Sequence, residues 1–268
     1  MYNSIKMAIC AYCKNDRKLC ASHAIPNGFF KAISRKNNGK LITIPGGEGS
    51  IHLGQETGKS KLLCKECEGY FNREFDSPLV NALKAWDRQI IEEGFGVQFE
   101  FSPNQMAQGL ASIFWRASVS GNDMYANAKV SNRDKAQLLS IVKGEQDETL
   151  KSCSCSIRRL YDKRIPTKGG FSQEVISQII LPVNAYNISW GRKKPSSYFA
   201  FAVIMQGFLC YLIIPRLPYG KRTAPEFLNP KKNQLRATRH YLLDYKPLMD
   251  VLVTGMGKHL DGHSTLKT

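Results

Sequence analysis

Two Cys-x-x-Cys pairs separated by 50 residues constrain this chain more than any other feature. Cys10-Ala-Tyr-Cys13 and Cys64-Lys-Glu-Cys67 each predict a tight knuckle that points both sulfurs at one ion, and four thiolates are what a tetrahedral structural zinc site requires. Paired thiols have two other fates, disulfides or buried free cysteines. Met1-Tyr-Asn-Ser-Ile-Lys-Met7 lacks the basic start and apolar run of an export signal. A cytoplasmic location and reduced thiols are therefore expected, and reduced pairs favour metal. Cys20 reads as a spare thiol. One residue between Cys153 and Cys155 fits a knuckle poorly, and Cys210 lies in an apolar run, so these read as ordinary cysteines.

The formal charge of +16 on 268 residues is unevenly spread. Residues 1–150 carry 19 basic and 16 acidic side chains, a net of +3, whereas residues 151–268 carry 19 and 6, a net of +13. Such asymmetry points to a polyanion met mainly by the C-terminal half. The basic clusters are Arg158-Arg159, Lys163-Arg164, Arg192-Lys193-Lys194, Lys221-Arg222 and Lys231-Lys232, several beside Tyr161, Trp190, Tyr198 or Tyr219. They read as loops between strands, presenting cations to phosphates and rings to bases. A basic face that only keeps the protein soluble has the same sequence pattern.

Periodicity predicts an α+β chain in three parts: a zinc module over 1–76, a helical region over 77–150 and a basic α/β region over 151–268. Ser77-Pro78 and Ser102-Pro103 read as helix starts, with apolar stripes at Leu79, Leu83, Trp86 and Ile90 and at Met106, Leu110, Ile113 and Phe114. Ser131-Asn-Arg-Asp134 opens a third helix. Gly144 to Glu148 reads as a linker or loop, Val175 to Leu181 as a buried strand, and His259 to Thr268 as a loose tail. Tyr198 to Pro215 is at the short limit for a membrane span. A β-hairpin of Tyr198–Met205 and Phe208–Ile214 with Gln206-Gly207 at its turn accounts for it better, and no membrane contact is expected.

Between the cysteine pairs lies Ser22-His23-Ala24-Ile25-Pro26, and after the second pair comes Glu68. Together these resemble the His-Me finger (HNH) endonucleases, which carry Cys-x-x-Cys, an acidic residue before His-Ile-x-Pro, and later Leu-Cys-x-x-Cys-His. The resemblance covers about 60 residues and implies an N-terminal treble-clef (ββα) zinc module. It implies that His23 is the general base that takes a proton from attacking water. It also implies a catalytic divalent ion, magnesium or manganese, at the scissile phosphate. This chain departs from the pattern at three places. Ser22 replaces the acidic ligand, Lys59 and Ser60 stand near the expected asparagine, and Glu68 replaces the last histidine. Glu68 can hold magnesium through oxygen, Lys59 can meet a phosphate oxygen, and Asn72 lies one helical turn beyond Glu68. Leu62-Leu63-Cys64, Phe71-Asn72-x-Glu74-Phe75 and Ser112-Ile113-Phe114-Trp115-Arg116-Ala117 further resemble a group of uncharacterised bacterial HNH-like proteins. Some HNH-like proteins serve in defence against phage.

The expected function is nucleic-acid binding, DNA before RNA, coupled to metal-dependent phosphodiester hydrolysis by His23, Glu68, Lys59 and Asn72. Cys10, Cys13, Cys64 and Cys67 would hold structural zinc. The alternatives are an inactive zinc-finger regulator that binds nucleic acid and a zinc-stabilised module that binds protein. Trp115 reads as core, with Arg116 aimed elsewhere to reach the active centre or pair with an acid.

Overall fold

The computed structural model describes residues 7–94, 99–144, 149–190, 196–236 and 238–266. The chain begins with two short paired strands, β1 (Ala8–Ile9) and β2 (Asp16–Arg17), which close the first cysteine knuckle. β3 (Leu19–His23) runs to Pro26, and α1 (Asn27–Lys36) starts directly after it. β4 (Leu41–Thr43) and β5 (His52–Gly54) form a hairpin, and β6 (Lys59–Cys64) returns antiparallel to β3. α2 (Lys65–Phe71) passes without a break through a π-helical turn at Asn72–Asp76 into α3 (Ser77–Glu93). Ser77-Pro78 is thus inside a continuous helix, not at the start that the sequence suggests. Pro78 has no N–H to give to the preceding turn, and the wider π turn just before it takes up the mismatch.

β7 (Phe99–Glu100) leads to α4 (Pro103–Val119), and α5 (Asn132–Lys143) follows. Both helices start where the sequence indicates: Ser102 accepts from the Gln105 N–H, and Ser131 from the Asp134 N–H. α4 is buried on every side and lies at the centre of the molecule. Phe114 stacks on Phe201 at 5.4 Å between ring centres, while Trp115 packs on Phe71 at 5.6 Å. Successive residues of one helix therefore face the C-terminal sheet and the cysteine-bearing region, and one apolar core runs from Cys10 to Leu235.

The remaining elements are α6 (Thr149–Ser152), β8 (Ser154–Tyr161), α7 (Gln173–Ile176), β9 (Leu181–Trp190), β10 (Ser196–Met205), β11 (Phe208–Ile214), β12 (Gln234–Leu235), β13 (Thr238–Tyr241) and α8 (Lys246–Leu260). Five of the strands make a sheet in the order β13-β8-β11-β10-β9, antiparallel except for β13 against β8. The β10–β11 hairpin turns at Gln206 and Gly207, both with positive φ, as a two-residue turn requires. A Cβ at Gly207 would overlap the Arg159 guanidinium packed beneath it. Among the described residues no helix is long and apolar enough to cross a membrane.

Three further sequence expectations need correction. Val175 to Leu181 is not a strand: Ser172 caps α7, which includes Val175, and β9 begins only at Leu181. The last segment is not loose, because α8 extends to Leu260 and Ser264 bridges to Ile51. Arg158 and Arg159 are not in a loop but on β8, inside the sheet. Arg159 is fully buried and pairs with Asp87 of α3 at 2.8 Å. Glu145 to Glu148 and the cluster Arg192-Lys193-Lys194 lie outside the described residues.

Candidate metal centre and adjoining cleft

The two knuckles converge. Their four sulfurs, Cys10, Cys13, Cys64 and Cys67, lie within 4.8 Å of one another, and Cys13 and Cys64 are 3.9 Å apart. Four thiolates at that spacing suit one tetrahedral ion with Zn–S bonds of about 2.3 Å. The chain folds this way for local reasons. Lys14 turns the first knuckle with positive φ, the Lys14 N–H donates to Cys10 O, and the Cys10 N–H donates to Asn15 O. The Ala11 N–H then donates to Leu62 O and ties the knuckle to β6. Cys64 ends β6 and stands at the start of α2, with Cys67 in the first turn. The Cys64 N–H at this helix start donates to Cys10 Sγ at 3.3 Å, which favours the Cys10 thiolate.

The sulfur environments differ. Burial raises the Cys10 thiol, but N–H groups of Cys64, Cys13 and Tyr12 outweigh it and bring the group down to about 7. Burial pushes Cys64 and Cys67 up instead. Bound metal requires all four to lose their protons. Cys20 stands outside this cluster, and Cys153, Cys155 and Cys210 are buried elsewhere as free thiols.

Beside the cysteines, α1 and the α2–α3 helix enclose a cleft of about 430 Å³. Its walls include His23, Asn27, Gly28, Lys31, Glu68, Asn72, Asp76 and Asn81, so three of the four catalytic candidates reach one space. Lys59 does not line it, although it pairs directly with His23 across β3 and β6. His23 is only 8% exposed. Its Nε2 bonds the Thr57 hydroxyl at 3.0 Å, and Nδ1 makes no hydrogen bond to another described residue. Burial, then the charges of Lys59 and Arg116, lower its pKa to about 4, so the imidazole is neutral at pH 7.

Glu68 accepts a hydrogen bond from Ser22 Oγ at 2.6 Å, and Ser22 Oγ accepts one from the Leu63 N–H. No hydrogen bond joins His23 to Glu68. Among the described residues no second set of three His, Cys, Asp or Glu ligand atoms comes as close together as the four cysteines. Asp76 lines the cleft and holds Arg116 through both carboxylate oxygens. Arg116 is fully buried and also faces the Phe71 ring, so it pairs with an acid that itself touches the cleft.

Sequence reading missed Asp76, Lys31, Asn27 and Asn81. Glu68, Asn72 and Asp76 recur every four residues, a signal that one helix face carries all three. The proline at residue 78 concealed it by suggesting that the helix ended. No family model matches the chain, and neither a characterised protein nor a solved structure matches it significantly.

Proposed function

We propose that this is a zinc-stabilised nucleic-acid-binding protein whose cleft hydrolyses phosphodiester bonds with a divalent ion, in the manner of the HNH endonucleases that its sequence resembles. The observation that carries the reading is that His23, Glu68 and Asn72 line one cleft next to four clustered cysteines. The treble-clef reading of residues 1–76 is supported by the order of parts: a knuckle, the paired strands β3 and β6, then a helix carrying the last two cysteines at its start.

Each wall has a chemical role in this proposal. In the tautomer whose Nε2–H donates to the Thr57 hydroxyl, neutral His23 has Nδ1 to accept a proton from water as the water oxygen bonds to phosphorus and the bond to the leaving oxygen breaks. Glu68 and Asn72 offer oxygens to magnesium or manganese, which share protein carboxylates with substrate phosphate. Such an ion supplies charge neutralisation at the leaving oxygen. The start of α1 with Lys31 gives the opposite wall a preference for anions. Lys59, outside the cleft, acts on His23 by its charge. The family resemblance favours DNA over RNA.

One observation favours a second reading, an inactive finger that binds nucleic acid. Glu68 is already engaged by Ser22, and among the described residues no set of three ionisable ligands forms around it. Incubating the protein with plasmid, single-stranded DNA and RNA, with magnesium or manganese, separates the two. The expected result is cleavage that needs added magnesium or manganese and is lost in His23→Ala, while the zinc content of that variant stays the same. Cleavage retained by His23→Ala removes the mechanism. Salt-sensitive binding without cleavage under any ion establishes the second reading instead.

A further inference from the structure

We propose that residues 216–236 form a docking strap for single-stranded nucleic acid, with Tyr219 as its stacking platform. The inference rests on the nucleic-acid reading above but places binding outside the cleft, to which this segment contributes no residue.

The strap carries Arg216, Lys221, Arg222, Lys231, Lys232 and Arg236 against one acid, Glu226. That acid is spent, because its carboxylate pairs with Arg158 of β8 at 3.1 Å. None of Arg216, Arg222, Lys231, Lys232 and Arg236 forms an ion pair with a described residue. Burial and then the charge of Arg222 lower the Arg216 pKa, so the two guanidiniums already repel one another. Like charges held together without a carboxylate favour a polyanion.

The backbone beneath is fixed. The Leu217 N–H donates to Ser154 Oγ, the Leu228 N–H to Cys155 O, and the Phe101 N–H to Asn233 O, all at 2.9 Å. Leu217, Leu228 and Leu235 are buried as anchors, so the strap presents no leucine to a lipid surface. Tyr219 is 73% exposed. The Arg222 guanidinium lies 5.5 Å from the centre of its ring and is held by Leu217 O through Nε. A ring open to solvent and backed by a guanidinium suits an unstacked base, whereas a duplex keeps its base faces covered.

The test is anisotropy with fluorescein-labelled oligo(dT) across a salt series without added magnesium or manganese, so that cleavage plays no part and the cysteine site keeps its zinc. Tyr219→Ala is expected to weaken binding by about 5- to 150-fold, the range for loss of one stacked base. Lys231→Ala with Lys232→Ala is expected to lower the salt slope by about 1.4, for two lost phosphate contacts on a single strand. Unchanged affinity and slope in both variants overturn the strap. So does equal affinity for duplex, or tighter binding to phosphatidylserine vesicles than to oligo(dT). Binding that needs the strap without any cleavage would sink the hydrolase reading alone. Cleavage of single strands that is indifferent to strap variants would sink the strap alone.

Discussion

The cysteine-bearing region and the five-stranded sheet are held together by different means. Around the cysteines the paired strands are only two to six residues long, and such short pairs have little stability of their own. In the sheet, β10 and β11 pair over seven positions and are buried along nearly their whole length. The polar groups differ correspondingly. Arg159 under the sheet spends its donors on Gln173, the Gln206 carbonyl, Ser177 and Asp87. In the cleft, His23 keeps one ring nitrogen free, and Asn81 makes no side-chain hydrogen bond to a described residue. The sheet region is not satisfied throughout, because Arg158 Nε, His240 Nε2 and Tyr245 OH are buried without a partner among the described residues; what sets His23 and Asn81 apart is that they line an open cleft where a ligand can meet them.

Removing one ligand should break the comparison most strongly. Structural zinc contributes about 10–16 kcal/mol in isolated finger peptides, so Cys64→Ser is expected to lose zinc and local structure together. Hydrogen exchange should show β3, β6 and α2 losing protection while β10 and β11 retain it. Unchanged protection in α2 with no zinc bound would show that packing, not metal, holds this region.

The next largest effect is expected under the sheet. Asp87→Ala leaves the Arg159 guanidinium buried without its acid, which costs about 3–5 kcal/mol. Urea unfolding measures it. A loss below about 1 kcal/mol, the size of one ordinary hydrogen bond, would mean that the network does not clamp α3 to β8.

How far these two regions were legible in the sequence follows from how local their signals are. The cysteine spacing, the caps at Ser102 and Ser131 and the turn at Gln206-Gly207 all act within a few residues, and each is where the sequence places it. Arg159 was illegible because its partner Asp87 is far away in sequence, and an arginine beside another arginine suggests surface. Val175 to Leu181 has the composition of a strand, yet Ser172 caps a helix turn across its start. In the cleft, His23, Glu68 and Asn72 were legible as residues but Asp76 was not, since only the unbroken helix brings it to the same space.

His23 supplies a third difference, in pH. Its folded pKa of about 4 lies below an unfolded value of about 6.5. Above pH 6.5 both states are neutral and the group has no effect. As pH falls from 6.5 toward 4 the unfolded chain takes up the proton first, and stability declines by up to about 3 kcal/mol. His23→Gln should remove that share of the acid slope, whereas thiolate protonation, common to both proteins, cancels in the difference. Parallel stability profiles for the two proteins between pH 7 and pH 4 would contradict the burial of a neutral ring.

The smallest test sets one serine against another. Ser22 Oγ donates to Glu68 and Ser177 Oγ to Asp87, each at 2.6 Å, so bond length alone predicts equal effects of replacement. The surroundings differ, because Glu68 opens into the cleft while Asp87 is buried. Water can replace the lost donor at Glu68 but not at Asp87. Ser177→Ala should therefore cost about 2–3 kcal/mol, within the range for hydrogen bonds to charged groups, and Ser22→Ala about 1 kcal/mol, the size of an ordinary hydrogen bond. Equal or reversed losses in urea unfolding would mean that the cleft is as closed to solvent as the core under the sheet. Glu68 would then have no free face to offer an ion.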